Sequence, residues 1–296
     1  MREGFLLMNK IILITDSGCD LPYNFTRDNN LVVVPLKLIL RGETIEDNLG
    51  ENLKYSDFYN AIREGEMPKT AQANIYEFEQ VFEKYIKDAD KVIYIAFSSA
   101  LSGTYNSACI ARENLLEKYP EADISIVDSK SASMGLGLLV YYANEMLKSG
   151  KNKEEIVNWL EDNKLKVNHW FTVEDLNHLF RGGRVSKTTA MVGSLLSIKP
   201  VMNVDNEGRL TPIEKARGRK KSLTSLINKV VEGIVNPDEQ IIFISHGDCI
   251  EDAEYIKEKL LEKINVKDVI INYVGPVIGS HSGPGTLAIF YIGKER

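Results

Sequence analysis

An α/β fold in two domains is the architecture this sequence predicts, and two observations carry it. Short apolar runs at residues 11–15, 92–97 and 124–127 are each followed by a polar turn and then by a helical pattern. Strands that alternate with helices at this spacing imply a parallel sheet covered on both faces. Near residue 165 the pattern changes to short strands, a hairpin turn and a glycine-rich segment. The expected domains are therefore residues 9–165, built on a parallel sheet, and residues 166–296, a second α/β unit. A chain of 296 residues is long enough for both.

Residues 11–15 read as a buried strand ending in the polar turn 16–20, and Leu21-Pro22 opens a short helix. Residues 31–40 read as one strand, with 41–47 pairing beside it. Ser56 is placed to cap a helix running to Glu64, residues 67–74 form a loop, and Asn74 caps a helix over 75–86. The strand 92–97 leads through Ser98-Ser99-Ala100-Leu101-Ser102-Gly103-Thr104 to a helix over 110–119. After the strand 124–127 and a junction at 134–137 come helices over 138–147 and 153–163. In the second domain the pattern gives a strand at 170–173, a helical turn at 174–180 and a small-residue helix over 188–196. Asn206-Glu207-Gly208 makes a hairpin turn. A long helix to about residue 235, a strand at 240–245, a helix at 251–264 and a strand at 269–274 follow. A glycine-rich loop over 275–285 and a closing strand over 286–292 complete the chain.

Composition excludes several classes. Hydrophobic residues make up 44% and charged residues 26%, as in ordinary globular proteins. A net charge of −6 argues against a general nucleic-acid binder. No apolar run approaches a membrane span, and the start of the chain is too short for a secretory signal. Met8 is an alternative start, which would leave residues 1–7 as an unstructured extension. Cys19, Cys109 and Cys249 are widely spaced and read as free thiols of a cytoplasmic protein.

Four polar segments stand at strand ends: Asp16-Ser17, residues 70–74, residues 98–106 and residues 278–285. The third joins a strand to a helix start, where hydroxyls and free backbone N–H groups suit a small anion such as a carboxylate or phosphate. A plain helix cap by Ser102 or Thr104 is the competing reading. His281, set among glycines, can donate to an anion or serve structure alone. His169, His178 and His246 lack metal-ligand spacing and read as structural or exposed. Arg181-Gly182-Gly183-Arg184 is either a phosphate-binding turn or a helix C-cap flanked by arginines. The basic run Lys215, Arg217, Arg219, Lys220 and Lys221 is a solvated face or a docking surface for an acidic partner. No nucleophile elbow, phosphate loop, dinucleotide fingerprint or zinc spacing is present, so no cofactor is expected. Ser102, His281 and an aspartate could be drawn as a hydrolase triad, and the two arginines favour a phosphorylated metabolite.

Taken in order, the motifs resemble the DegV family, bacterial fatty-acid-binding proteins that include the FakB subunits of fatty acid kinase. The resemblance rests on Thr15-Asp16-Ser17, Pro68-Lys69-Thr70-Ala71-Gln72, residues 98–108, Asp128-Ser129-Lys130, residues 134–137, residues 175–184, Lys199-Pro200 and residues 281–285. It implies a two-domain DegV-like (EDD) fold with an acyl chain buried between the domains. It also implies a carboxylate held by Thr70, by the Ser99–Ser102 loop with Gly103, and by His281, with Arg184 nearby. A separate ATP-dependent kinase would phosphorylate that carboxylate after docking near Arg217 or Arg219. Where the family often has Thr-Ser-Gln, this chain has Thr70-Ala71-Gln72.

Overall fold

A computed structural model of the chain describes residues 10–88, 90–186 and 198–296. The extension expected over residues 1–7 and the helix expected over 188–196 lie outside the described residues. The first sheet has four parallel strands, β1 (Ile11–Asp16), β2 (Val32–Val34), β6 (Lys91–Ala96) and β7 (Ile124–Asp128), in the order β2-β1-β6-β7. A small antiparallel sheet holds β3 (Lys37–Leu40), β4 (Glu43–Glu46) and β5 (Lys69–Ala71), in the order β4-β3-β5. The third sheet is mixed: β8 (Val167–Thr172), β9 (Ile198–Val204), β10 (Leu210–Arg217), β11 (Ile241–His246), β12 (Asp268–Tyr273) and β13 (Leu287–Ile292), in the order β10-β9-β8-β13-β11-β12.

Side-chain alternation in β1 and β6 sorts the core. Ile12, Ile14, Val92 and Tyr94 face one cluster with Phe78 and Phe82 of α3 (Ile75–Ile86) and Ala108 of α4 (Thr104–Lys118). Leu13, Ile93 and Ile95 face the opposite way, toward α5 (Met134–Lys148). The six-stranded sheet repeats the device. Phe171, Phe243, Ala288 and Phe290 face α5, whereas Ile242, Ile244, Leu287 and Ile289 face α8 (Arg219–Gly233) and α9 (Ile250–Leu261). Residues 134–140 of α5 are all buried, because this helix is packed between the two larger sheets. The remaining helices are α1 (Tyr23–Asp28), α2 (Tyr55–Arg63), α6 (Lys153–Asn163), α7 (Leu176–Arg181) and α10 (Pro276–Ser282).

The structure corrects several sequence expectations. Residues 31–40 form two strands in different sheets, since Pro35 has no N–H to continue a ladder. Lys54, not Ser56, precedes α2 as its capping position. The loop 67–74 contains β5, which pairs with β3. Helix α4 begins at Thr104, ahead of the expected 110, and α5 begins at Met134, ahead of 138. The glycine-rich segment 275–285 is largely the helix α10. The cap at Asn74 forms as read, and Asn152 caps α6 in the same way, each with a reciprocal glutamate, Glu77 and Glu155.

Candidate functional site

A cavity of about 360 Å³ lies among the three sheets, within the size range of small-molecule sites. Its walls are mostly apolar, with Leu36, Phe97, Leu101, Phe171, Val277 and Phe290 among them. One end gathers Thr70, Gln72, Ser102, Gly103, Arg184 and His281. Each arrives from a different local cause. Thr70 sits on β5 of the small antiparallel sheet. Ser102 and Gly103 end the turn after β6, which is closed by Leu101 and Ser102 N–H groups donating to the Ser98 carbonyl at 3.0 and 3.1 Å. The buried Ser98 hydroxyl donates to the Gly208 carbonyl at 2.9 Å and so pins the turn to the β9–β10 hairpin. Arg184 follows α7, whose end is marked by Gly183 at φ +73°. His281 is carried by α10.

Thr70 Oγ1 and His281 Nε2 are 2.8 Å apart. Burial, together with the Arg184 charge, lowers the imidazole from 6.5 to about 4, so His281 is neutral at pH 7. Its Nδ1 is buried without a partner and faces Gly182, where a Cβ would lie 2.1 Å away. Arg184 Nε donates to the Leu101 carbonyl at 3.1 Å, and Nη1 donates to the Gly182 carbonyl. Ser102 Oγ lies 2.8 Å from Thr104 Oγ1 and accepts from the Thr104 N–H at 3.3 Å. Ser102 thus supports the start of α4 and lines the cavity at once. Gly103 leaves room for Gln72, whose Oε1 would lie 2.2 Å from a Cβ there. Gln72 Nε2 donates to Ser107 Oγ at 2.9 Å.

Ser99 is not brought to the cavity. Its exposed hydroxyl accepts from Lys130 Nζ at 2.9 Å, and its N–H donates to Asp128. Arg217 is exposed at the end of β10. Arg219 is half-buried and tied to Asp252 at 2.8 Å and to Cys249 Sγ at 3.5 Å. Asp16 is structural: its carboxylate accepts from the Tyr94 hydroxyl and from the Phe97 and Gly18 N–H groups. Sequence reading missed Gln72 as a lining residue, and it missed Ser133, His169 and Ser245 deeper in the cavity. The period-two pattern places Phe171 and His169 on one face of β8, but nothing in it marks that face as a cavity wall. Ser102 Oγ pairs with Thr104 and His281 pairs with Thr70, which differs from the Ser–His contact of an acyl hydrolase. Among the described residues, no group of His, Cys, Asp and Glu is arranged to hold a metal ion, and no helix is long and apolar enough to cross a membrane.

Comparison with known proteins agrees with this architecture. A DegV domain-containing protein of Clostridium perfringens is 52% identical over 289 residues, covering 98% of this chain and 99% of its own. A fatty-acid-binding DegV family protein of Thermus thermophilus superposes with TM-score 0.86 at 30% identity, covering 96% of this chain and 99% of its own. A DegV family protein of Eubacterium eligens, loaded with heptadecanoic acid, superposes with TM-score 0.83 at 25% identity, covering 96% of this chain and all of its own, 100%. The family model described as "Uncharacterised protein, DegV family" matches residues 10–294, and with that extent of agreement in sequence and architecture the chain belongs to the DegV family.

Proposed function

We propose that this protein binds a long-chain fatty acid in the cavity and presents its carboxylate to a partner kinase, which converts it to an acyl phosphate. The observation that carries the reading is a cavity with mostly apolar walls in which Thr70, Ser102, Arg184 and His281 are brought together. A hydrocarbon tail gains about 0.8 kcal/mol for each methylene it buries. A carboxylate taken out of water without partners would cost several kcal/mol, so it belongs at the polar end. The bound ligands of the solved relatives support the same reading.

The end residues divide the work. In the tautomer with its proton on Nε2, neutral His281 donates to Thr70 Oγ1, which leaves the Thr70 hydroxyl proton for the carboxylate. The Ser102 hydroxyl and the Arg184 charge complete the head site. Residues 9–165 and 166–296, as two domains, supply opposite walls. In the kinase step a carboxylate oxygen attacks the terminal phosphorus of ATP and ADP leaves. Exposed Arg217 suits a docking role better than Arg219, whose guanidinium is already committed to Asp252.

Mass spectrometry of organic extracts from the purified protein tests the binding step. A long-chain fatty acid in near-stoichiometric amount is the expected result. Absence of any lipid, with no uptake of added stearic acid, overturns it.

A further inference from the structure

The six-stranded sheet changes character at one row. Pairing of β9 with β8 ends at Met202 and Phe171, although β8 runs back to Val167 in register with β13. At the same row the register of β10 on β9 shifts between Pro212 and Glu214, which leaves Ile213 bulged out and exposed. Proline has no N–H to give the ladder, and a bulge bends the strand that carries it. Beyond this row the chain is a two-stranded arm, residues 203–211, whose strands pair with each other at Asn203–Thr211 and Val204–Leu210.

The arm supplies Val204 and Leu210 to the cavity wall. Its tip crosses to the loops that follow β6 and β7. There the Gly208 carbonyl accepts from the Ser98 hydroxyl at 2.9 Å, and a Cβ on Gly208 would stand 3.2 Å from Lys130 Cα. The Asp205 carbonyl accepts from Arg296 Nη1 at 2.7 Å. Both contacts run from a side chain to a carbonyl. The backbone bonds of the tip stay inside the arm: the Asp205 N–H donates to the Arg209 carbonyl and the Gly208 N–H to the Asp205 carbonyl, each at 2.9 Å. The arm therefore keeps its own ladder whether or not its tip rests on Ser98. Helix α5 offers no such joint, since it packs on both larger sheets.

We propose that residues 203–211 form a flap over the cavity, hinged at the Pro212–Glu214 bulge and latched by Ser98 onto Gly208, and that a fatty acid enters and leaves beneath it. The inference rests on the fatty-acid reading above and adds the portal of that site. Opening lifts Val204 and Leu210 off the wall as a unit. The latch joins two parts of the protein and touches no ligand, so it closes the empty and the loaded cavity alike. An interaction of equal strength in both states changes the rate of exchange and not the affinity.

Stopped-flow exchange of a fluorescent long-chain fatty acid tests it, because association and dissociation rates are read separately. Ser98→Ala removes the latch donor and should raise both rates about fivefold, the share of one hydrogen bond, with Kd held within about twofold. Ser98→Cys combined with Gly208→Cys gives a lock, since a Cβ on Gly208 would stand 2.2 Å from Ser98 Oγ. Once mass spectrometry shows the cystine, both rates should be at least about tenfold slower than in the reduced protein, and dithiothreitol should restore them. Unchanged rates in Ser98→Ala, or exchange as fast in the locked protein as in the reduced one, overturns the inference. So does a Ser98→Ala variant that loses affinity with no gain in association rate, which would make Ser98 a support of the Ser102 turn alone. Failure of the wild-type protein to bind the probe or stearic acid overturns the fatty-acid reading itself, and this inference with it.

Discussion

The hydroxyl of Thr70 meets Nε2 of His281 at 2.8 Å, across 211 positions of sequence. That contact joins the small antiparallel sheet to α10 at the head of the cavity. Thr70→Val keeps the shape and removes the hydroxyl. It should weaken stearic acid binding about tenfold, the loss of one hydrogen bond to a charged group. Displacement of a fluorescent fatty acid measures it, and a change below about twofold would remove Thr70 from the head site.

Gly182 has an ordinary helical φ of −71°, so its lack of a side chain serves space and not backbone conformation. A Cβ there would stand 2.1 Å from His281 Nδ1. Gly182→Ala should therefore push the imidazole off Thr70 and reduce stearic acid affinity at least as much as Thr70→Val. The thermal midpoint should fall only slightly, because the residue lies at a half-buried helix end. Full affinity in this variant would show that His281 does not need its present position.

Burial drives the Asp47 carboxyl from 3.8 up to about 7, and Asp16 to about 6. Between these limits the folded protein holds protons that the unfolded chain has lost. The contribution of each group is full below about pH 4 and drains away as pH rises through its folded value. His281 runs the other way: its contribution is full above 6.5 and is lost as pH falls through about 4. Asp47→Asn removes one titrating group and leaves the rest. Relative to wild type, the variant should gain on the order of 2 kcal/mol between pH 5 and pH 8 in urea unfolding. A difference that stays constant with pH would mean that Asp47 is ionised throughout.

Ala288 occupies the middle of the cavity floor, between the rows of Thr286 and Phe290. Ala288→Leu adds volume where the alkyl chain would pass. The variant should discriminate against stearic acid in favour of shorter saturated acids by roughly tenfold or more. An unchanged chain-length profile would place the tail elsewhere.

Much of the fold was legible in the sequence because the central residues of β1 and β6, Ile12 to Ile14 and Val92 to Ala96, are buried on both faces and are apolar. Ser102, which lines the cavity, was legible as a polar side chain in the turn that follows such a run. Other features were hidden for physical reasons. Strand β5 has three residues, too few for any periodicity to show. Segment 275–285 reads as a loop from its glycines, yet Gly279 sits inside α10 because a Cβ would lie 2.7 Å from Phe58 Cε1 and Tyr59 Oη. Glycine there answers a packing demand, and sequence alone does not separate that from a turn. Ser99 and Ser102 look alike in sequence, and only the closure of the turn onto Ser98 decides which one reaches the cavity.

The burial of α5 between two sheets bears on how a ligand enters and leaves. A surface helix has one apolar stripe and can be lifted from its sheet at modest cost. This helix has Leu136, Leu138, Leu139 and Val140 all fully enclosed, and it packs on β1 and β6 on one side and on β8, β11 and β13 on the other. Parting the sheets like the halves of a clamshell would strip one of those faces into water, at about 25 cal/mol for every Å² exposed. The sheets therefore behave as a welded frame of fixed spacing, and on the proposed function a lipid would enter and leave at the rim of the cavity rather than through a hinge behind it.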